Sequence, residues 1–265
     1  MIVIRDDMMF ELERRWFKGL GFEKVEHAAV CYNSYRRSHD NQALQDIIDL
    51  CHSAQSDALG APGLSAAHFL LGEGYLLRFE ATGSLDDLTW ALRAMRQATE
   101  EDPTQDRGHR LQTLASTLIT AVEILQPGEE PARQHLDLAD GWLAEALPLL
   151  SHHGATMCRN AQGMAKLQRF RHFGHASDWD RSEKILLDAF SKADTDADRA
   201  ACMGNIGKLL TMRYEINKTD GDAAKAMILA YDTAASLSPL NDPNHEQHLE
   251  HHRRTRRAFQ METLY

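Results

Sequence analysis

Several histidines and a glutamate lie close together in the stretch HEQHLEHH, and these residue types could bind a metal ion. On a helix, His245, His248 and His252 would share one face with Glu250 nearby, and imidazole and carboxylate groups are ligands of divalent metals. Structural metal sites usually draw their ligands from more than one element, however, and a polar helix rich in histidine is commonly just solvated. We therefore predict no cofactor and no metal site, with these three histidines as the only residues that suggest one.

The sequence contains 14 histidines, and acid–base catalysis by some of them is the second hypothesis. Its candidates are His109, and His172 and His175 in RFRHFGHASDWD, which we interpret as turn residues. A catalytic histidine needs a nucleophile or a substrate within reach, and the sequence indicates neither. The motifs GxGxxG, GxSxG and HExxH and the phosphate-binding loop are all missing from the sequence. The enzyme hypothesis therefore requires a closed pocket that holds two or more of these histidines.

Three arginines recur in front of an aromatic residue, at Arg78, Arg169 and Arg213. They could line one surface for an acidic partner, or each could pair with a carboxylate of the following turn, such as Asp86 or Asp222. Repetition in several units favours the structural pairing. Three tryptophans are predicted to lie in the core, in or near segments that would form the second helix of a helical hairpin: Trp90, Trp142 and Trp179.

Charge and hydropathy exclude several classes of partner. The net charge is −10, and the only dense basic run is HHRRTRR, so we predict no nucleic-acid binding. No run approaches 18 uninterrupted apolar residues, and charges interrupt the sequence after its first four residues, so we expect no membrane span, no signal peptide and a cytoplasmic location. Four widely spaced cysteines are predicted to be reduced and buried: Cys31, Cys51, Cys158 and Cys202.

A repeat dominates the sequence. The stretch LGEGYLLRFEATGSLDDLTWALRAM, residues 71–95, returns in altered form as IGKLLTMRYEINKTDGDAAKAMILA, residues 206–230. Each copy has a glycine, then an arginine six residues later, then an aromatic residue. The glycines of three copies are predicted to lie where a neighbouring helix approaches closely: Gly72, Gly163 and Gly207. Gly83 is predicted to end one helix and Ser84 to cap the next. In the later copies, Thr219 with Asp220 and Ser177 with Asp178 are predicted to do the same.

Amphipathic helical segments, punctuated by proline and glycine, predict an all-α protein. The pattern L-G-x-x-Y at Leu71, Gly72 and Tyr75, with Pro103 closing the unit, resembles the tetratricopeptide (TPR) repeat. Successive copies of the repeat are spaced by about 44 residues. This spacing and the segment LLRFEATGSLDDL are most similar to the TPR variety found beside CHAT protease domains and in kinesin-light-chain-like proteins. The resemblance implies one repeat domain, a right-handed α-solenoid of about five helical hairpins with capping helices. The predicted hairpins are residues 24–60, 64–103, 107–153, 155–195 and 196–242, and the predicted caps are 1–20 and 244–265.

In such a stack, the resemblance implies that the first helix of each hairpin lines a concave face. The residues expected there are Phe69, Glu73, Gln112, Ser116, Asn160, Met164, Asn205 and Lys208. A mixed surface of amides, one lysine, one glutamate and apolar groups suits a peptide or protein segment better than a phosphate or a lipid. The leading hypothesis is therefore a non-catalytic scaffold for protein–protein interaction. The alternatives are the histidine enzyme and a structural homo-oligomer, for instance a homodimer.

Overall fold

In a computed structural model of the chain, the described residues are 23–57, 60–101, 107–218, 220–238, 249–250 and 253. These residues form helices, turns and irregular backbone, and none of them lies in a strand, which confirms the all-α prediction. The ten α-helices bounded within this part of the chain are α1 Glu23–Ser38, α2 Asn41–Gln55, α3 Ala61–Thr82, α4 Leu85–Glu101, α5 Arg107–Glu123, α6 Glu130–Ala146, α7 His152–Phe173, α8 Ala176–Ser191, α9 Asp196–Ile216 and α10 Gly221–Leu237.

The helices pack as hairpins within two compact units. The first unit runs up to Ala121 and includes Ala144–Leu149, and the second contains Val122–Leu143 and the residues from Leu150 onward. In the first unit α1 packs on α2 and α3 on α4, and α3 also contacts both α1 and α2. In the second unit α7 packs on α8 and α9 on α10, and α9 also contacts both α7 and α8. Within each unit, the first helix of one hairpin thus packs on the hairpin before it.

The repeated glycines mark a close approach between the two helices of three hairpins, as predicted. A Cβ atom added at Gly72 would lie 2.5 Å from Cγ of Met95 and 3.2 Å from the carbonyl oxygen of Ala91, on α4. At Gly163 the added atom would lie 2.6 Å from Leu186 Cγ, and at Gly207 it would overlap a tyrosine ring in the same way. A side chain at Gly72 would meet the backbone of α4, whereas at Gly163 and Gly207 the Leu186 and Tyr231 side chains would have to move.

Turn residues end and begin the helices largely as predicted. Gly83 ends α3 with a φ of +74°, and Gly174 ends α7 with a φ of +73°, a left-handed conformation that favours glycine. The Ser84 hydroxyl accepts a hydrogen bond from the Asp87 amide at 3.4 Å, and Asp220 caps α10. The prediction for Ser177 was wrong, because α8 begins at Ala176 and Ser177 lies inside it.

Two predictions about buried side chains had different outcomes. All four cysteines are buried and free, and burial raises the pKa of the Cys158 thiol to about 11 and that of Cys202 to about 12. The prediction for Trp90 was wrong: 49% of the residue is exposed, and its ring stacks on Tyr75 with the centroids 6.3 Å apart. Trp142 and Trp179 are half-buried.

Within the described residues, no helix is both long enough and apolar enough to cross a membrane. The predicted capping segments fall almost entirely outside the described part of the chain. The exceptions are Leu249, Glu250 and Arg253, which are helical.

Candidate binding cleft

A polar cleft lies in the first unit and is lined by residues of α3 and α5. The cleft is shallow, and the empty space between its side chains reaches about 280 Å³ only when the open solvent at its mouth is included. Two carboxylates, one serine hydroxyl and three threonine hydroxyls face it together with a single aliphatic side chain. The lining residues are Glu73, Leu76, Glu80, Thr113, Ser116, Thr117 and Thr120.

Glycines on both sides of Glu73 explain how α3 presents this carboxylate. Gly72 packs against α4, and Gly74 packs against α2, where an added Cβ would lie 3.1 Å from Ile47 Cγ2. The two glycines face different neighbours because residues two positions apart on a helix point about 200° apart. Glu73 therefore points away from α4 and α2, and reaches Tyr32 on α1.

Glu73 is a buried carboxylate that is only half paired. It is 3% exposed, and its Oε2 accepts a hydrogen bond from the Tyr32 hydroxyl at 3.1 Å. Its Oε1 is buried and has no hydrogen-bond partner. The pKa of Glu73 is raised from its ordinary 4.5 to about 7, because burial and, to a smaller extent, the Glu80 carboxylate outweigh the Tyr32 hydrogen bond and the Arg36 charge, which lower it. Glu73 therefore exists as a mixture of the acid and the carboxylate near neutral pH.

The wall that α5 contributes to the cleft is made of hydroxyl groups. Ser116 is 1% exposed, and its Oγ has no hydrogen-bond partner. Thr117, by contrast, is satisfied within the protein, because its hydroxyl donates to the Thr113 carbonyl oxygen at 3.0 Å and lies 3.4 Å from Met95 Sδ. Ser116 thus leaves an unused hydrogen-bonding group at the cleft wall.

Of the eight predicted groove residues, Glu73 and Ser116 line the same cleft. Gln112, on the same helix as Ser116, is half-buried and has an unpartnered Oε1. Phe69 is buried, with the Arg110 guanidinium 5.9 Å from its ring centroid. Arg110 itself donates to Ser65 Oγ and to the Ala98 carbonyl oxygen. Phe69 is therefore packed into the protein and does not line the cleft.

The other four predicted groove residues belong to the second unit. Asn160 and Met164 are buried on α7, and the Asn160 Oδ1 has no hydrogen-bond partner. Asn205 and Lys208 are half-buried on α9. The Lys208 ammonium lies 3.6 Å from Glu123 Oε1, so this lysine already has an internal ion partner.

Each recurrent arginine pairs with carboxylates of its own unit. Arg78 forms two hydrogen bonds to Asp87, of 3.0 and 2.7 Å, and Arg213 contacts Asp220 at 3.2 Å. These partners lie in the following turn or at the start of the next helix, which is where the pairing was predicted. The particular residues predicted, Asp86 and Asp222, were wrong. Arg169 differs, because it pairs with two carboxylates of α6: Asp137 and Asp140.

The histidines of the enzyme hypothesis do not line the cleft. His172 is buried inside α7, not in a turn as predicted, and its Nε2 lies 3.1 Å from the Val122 carbonyl oxygen. His175 is an exposed N-cap residue of α8, and His109 is half-buried on α5. His245, His248 and His252 lie outside the described residues. Among those that are described, no group of three or more His, Cys, Asp or Glu residues could hold a metal ion.

Sequence reasoning missed the partners that complete the cleft. Tyr32 and Arg36 belong to α1, far from Glu73 along the chain, and nothing in the sequence indicated their proximity. The hydroxyl wall did leave a signal, since LQTLASTLITAVE places hydroxyl residues three and four apart on an otherwise apolar helix. Four of them share one face: Thr113, Ser116, Thr117 and Thr120.

Comparisons with protein-family models, with curated proteins and with solved structures gave no match to this chain. The resemblance to the TPR repeat therefore depends on the motif residues alone.

Proposed function

We propose that this chain is a non-catalytic scaffold of the TPR type, an α-solenoid whose concave surface binds a protein or peptide segment in the cytoplasm. The Glu73 cleft is the part of that surface where the segment makes its principal polar contacts. Three features support this proposal: the repeated motif, the packing of hairpin on hairpin within each unit, and the cleft on two first helices.

The observation that carries the proposal is the pair of unused polar atoms in the cleft. Buried polar atoms in folded proteins nearly always have a hydrogen-bond partner, and leaving one unpaired costs about 1–3 kcal/mol. Glu73 Oε1 and Ser116 Oγ are both buried without a partner, and both residues line the cleft. A ligand that hydrogen-bonds to them recovers this cost, so the cleft gains more from an occupant than a saturated surface does.

A small-molecule enzyme is the second candidate, and one observation favours it. A carboxyl group with a pKa of about 7 has the protonation equilibrium that a general acid or base needs. The positions of His109, His172 and His175 do not support the form of this hypothesis in which they are the catalytic acids or bases, because none of them lines the cleft. The two functions separate in a single assay, because a scaffold returns its ligand chemically unchanged. The third hypothesis, a structural homo-oligomer, remains a prediction that light scattering tests.

The proposal is tested by selecting short random peptides, displayed on phage, against the whole purified chain. We expect a common sequence pattern, and selected peptides that bind Ser116→Ala at least about tenfold more weakly than the unmodified chain. Ser182→Ala is the matched control, since Ser182 is an equally buried serine in the second unit, where its hydroxyl donates to the Gly163 carbonyl oxygen at 2.8 Å. Peptides that lose affinity equally for both variants, or a selection without enrichment, would overturn the proposal.

A further inference from the structure

We infer that Glu73 Oε1 and Ser116 Oγ form a subsite for a protonated primary amine, the ammonium group of a lysine side chain in the bound segment. This inference rests on the proposed function and names the residue type that the cleft accepts.

The cleft offers hydrogen-bond acceptors and negative charge. Two carboxylates and four hydroxyl groups line it, and no cationic side chain is among its lining residues. An alkylammonium group has three donors and no acceptor, so a carboxylate oxygen and neighbouring hydroxyl oxygens can satisfy it. Leu76 supplies an aliphatic wall for the methylene groups that carry the ammonium. The chemistry of the cleft thus complements both the charged end and the stem of a lysine side chain.

The geometry around Glu73 discriminates against arginine. A guanidinium group binds a carboxylate best through two parallel hydrogen bonds, one to each oxygen. Oε2 of Glu73 already accepts the Tyr32 hydroxyl at 3.1 Å, which leaves Oε1 alone available. A single acceptor oxygen suits a compact ammonium better than a planar fork, so lysine is preferred.

A divalent metal fits the same residues less well. Calcium takes six to eight oxygen ligands, mainly carboxylates and carbonyl groups. Only Glu73 and Glu80 among the lining residues carry a carboxylate, and the remaining polar groups are hydroxyls.

Ammonium binding is coupled to loss of a proton from Glu73. The charged and titratable groups that act on this carboxyl are Tyr32 and Arg36 from α1 and Glu80 from α3, and the wall from α5 contributes only neutral hydroxyls. An ammonium beside Oε1 favours the carboxylate, so the molecules in which Glu73 is protonated must release that proton as the amine binds. Affinity therefore rises as the pH increases through 7, up to the pKa of the amine, about 10.4.

The test uses nuclear magnetic resonance of the threonine and leucine methyl groups in the whole chain. Nα-acetyl-lysine methylamide is the probe, with its arginine and norleucine counterparts for comparison. We expect saturable shifts at Leu76 and at the threonines of the cleft with the lysine probe. We also expect a dissociation constant at least about tenfold weaker for the other two probes and for Glu73→Gln. Glu129→Gln, which alters an exposed glutamate outside the cleft, should behave like the unmodified chain.

Several outcomes would overturn the inference: equal affinity for lysine and arginine probes, unchanged binding by both Glu73→Gln and Ser116→Ala, or the same saturable shifts with calcium alone. Spermidine that binds more tightly than any lysine peptide would also overturn the lysine assignment, with a free polyamine as the ligand. If selected peptides depend on Ser116 but contain no lysine, the inference fails and the proposed function stands. If the lysine probe binds but no peptide is selected, the proposed function fails and the amine subsite stands.

Discussion

The Tyr32 hydroxyl donates a hydrogen bond to Glu73 Oε2 at 3.1 Å and leaves Glu73 Oε1 as the free acceptor of the cleft. Tyr32 is itself buried, and its pKa is raised well above its ordinary value by burial and by the Glu73 carboxylate. The phenol therefore remains a donor throughout the physiological range. This one hydrogen bond determines which oxygen of Glu73 is available to a ligand.

Replacing Tyr32 by phenylalanine should raise the pKa of Glu73 further above 7. The hydrogen bond from the phenol stabilises the carboxylate, so its removal favours the protonated acid. Carbon-13 resonances of labelled glutamate carboxyl groups, followed through a pH titration, measure the change. Tyr214→Phe is the control, since Tyr214 is a buried tyrosine of the second unit. A Glu73 pKa that falls in Tyr32→Phe would contradict the assigned role of the phenol.

The stability of the chain should depend on the ionisation of Glu73. The pKa of this carboxyl is about 7 in the folded protein and near its ordinary 4.5 when unfolded, so the folded state binds more protons. Its contribution to stability is fully present below pH 4.5 and is lost as the pH rises to 7, a change of about 3 kcal/mol.

The matching experiment compares urea unfolding of the unmodified chain and Glu73→Gln across this pH range. The glutamine has no charge to bury, so the free energy of unfolding of the variant should increase relative to that of the unmodified chain as the pH rises. If the difference in free energy of unfolding between the two proteins stays constant from pH 4.5 to 8, the surroundings of Glu73 do not raise its pKa.

Alanine at Gly72 should destabilise the first unit by about 1–3 kcal/mol. The added methyl group would lie 3.2 Å from backbone atoms of both Ala91 and Met95, and backbone cannot yield as a side-chain end can. Gly141→Ala is the matched control: Gly141 lies inside α6 with nothing within 4 Å of an added Cβ, so helix propensity alone should stabilise that variant by about 1 kcal/mol. Equal denaturation midpoints for the two variants would disprove the close-approach explanation of the repeated glycines.

The arginine pairs should differ in strength despite their equivalent places in the repeat. Arg78 holds Asp87 through two hydrogen bonds, and the Asp87 side chain is 8% exposed, so Arg78→Met should cost about 2 kcal/mol by leaving a buried carboxylate unpaired. The Arg213 side chain is 51% exposed, and Arg213→Met should cost less than about 1 kcal/mol. Chemical denaturation at low and high salt measures both, and a larger loss for Arg213→Met would contradict the ranking by burial.

Much of the fold could be predicted from the sequence, because helix period, glycine position and turn chemistry are local signals. Gly72, Gly163 and Gly207 indicated close helix contacts, and Gly83 indicated the end of a helix, without any knowledge of tertiary structure. The errors arose where rotation about the helix axis decides the outcome. Asp87 faces Arg78 whereas Asp86 is turned about 100° away, and Trp90 lies on the exposed side of α4.

The site was only partly predictable, for a related reason. Register along the first helices placed Glu73 and Ser116 on the same surface, and both line the cleft. The residues that set the properties of Glu73, Tyr32 and Arg36, come from another hairpin and meet it only through packing. Burial, which decides whether a carboxylate has a pKa near 4.5 or near 7, is a property of the assembled unit.

The central claim is that a protein segment binds in the Glu73 cleft, and its most direct test is the dissociation constant of a selected peptide for three forms of the chain. These are the unmodified protein, Ser116→Ala and the matched variant Ser182→Ala, compared by isothermal titration calorimetry. The account predicts that Ser116→Ala alone loses affinity, by about tenfold or more. Equal affinity for all three forms would place the peptide elsewhere and contradict the assignment of the cleft.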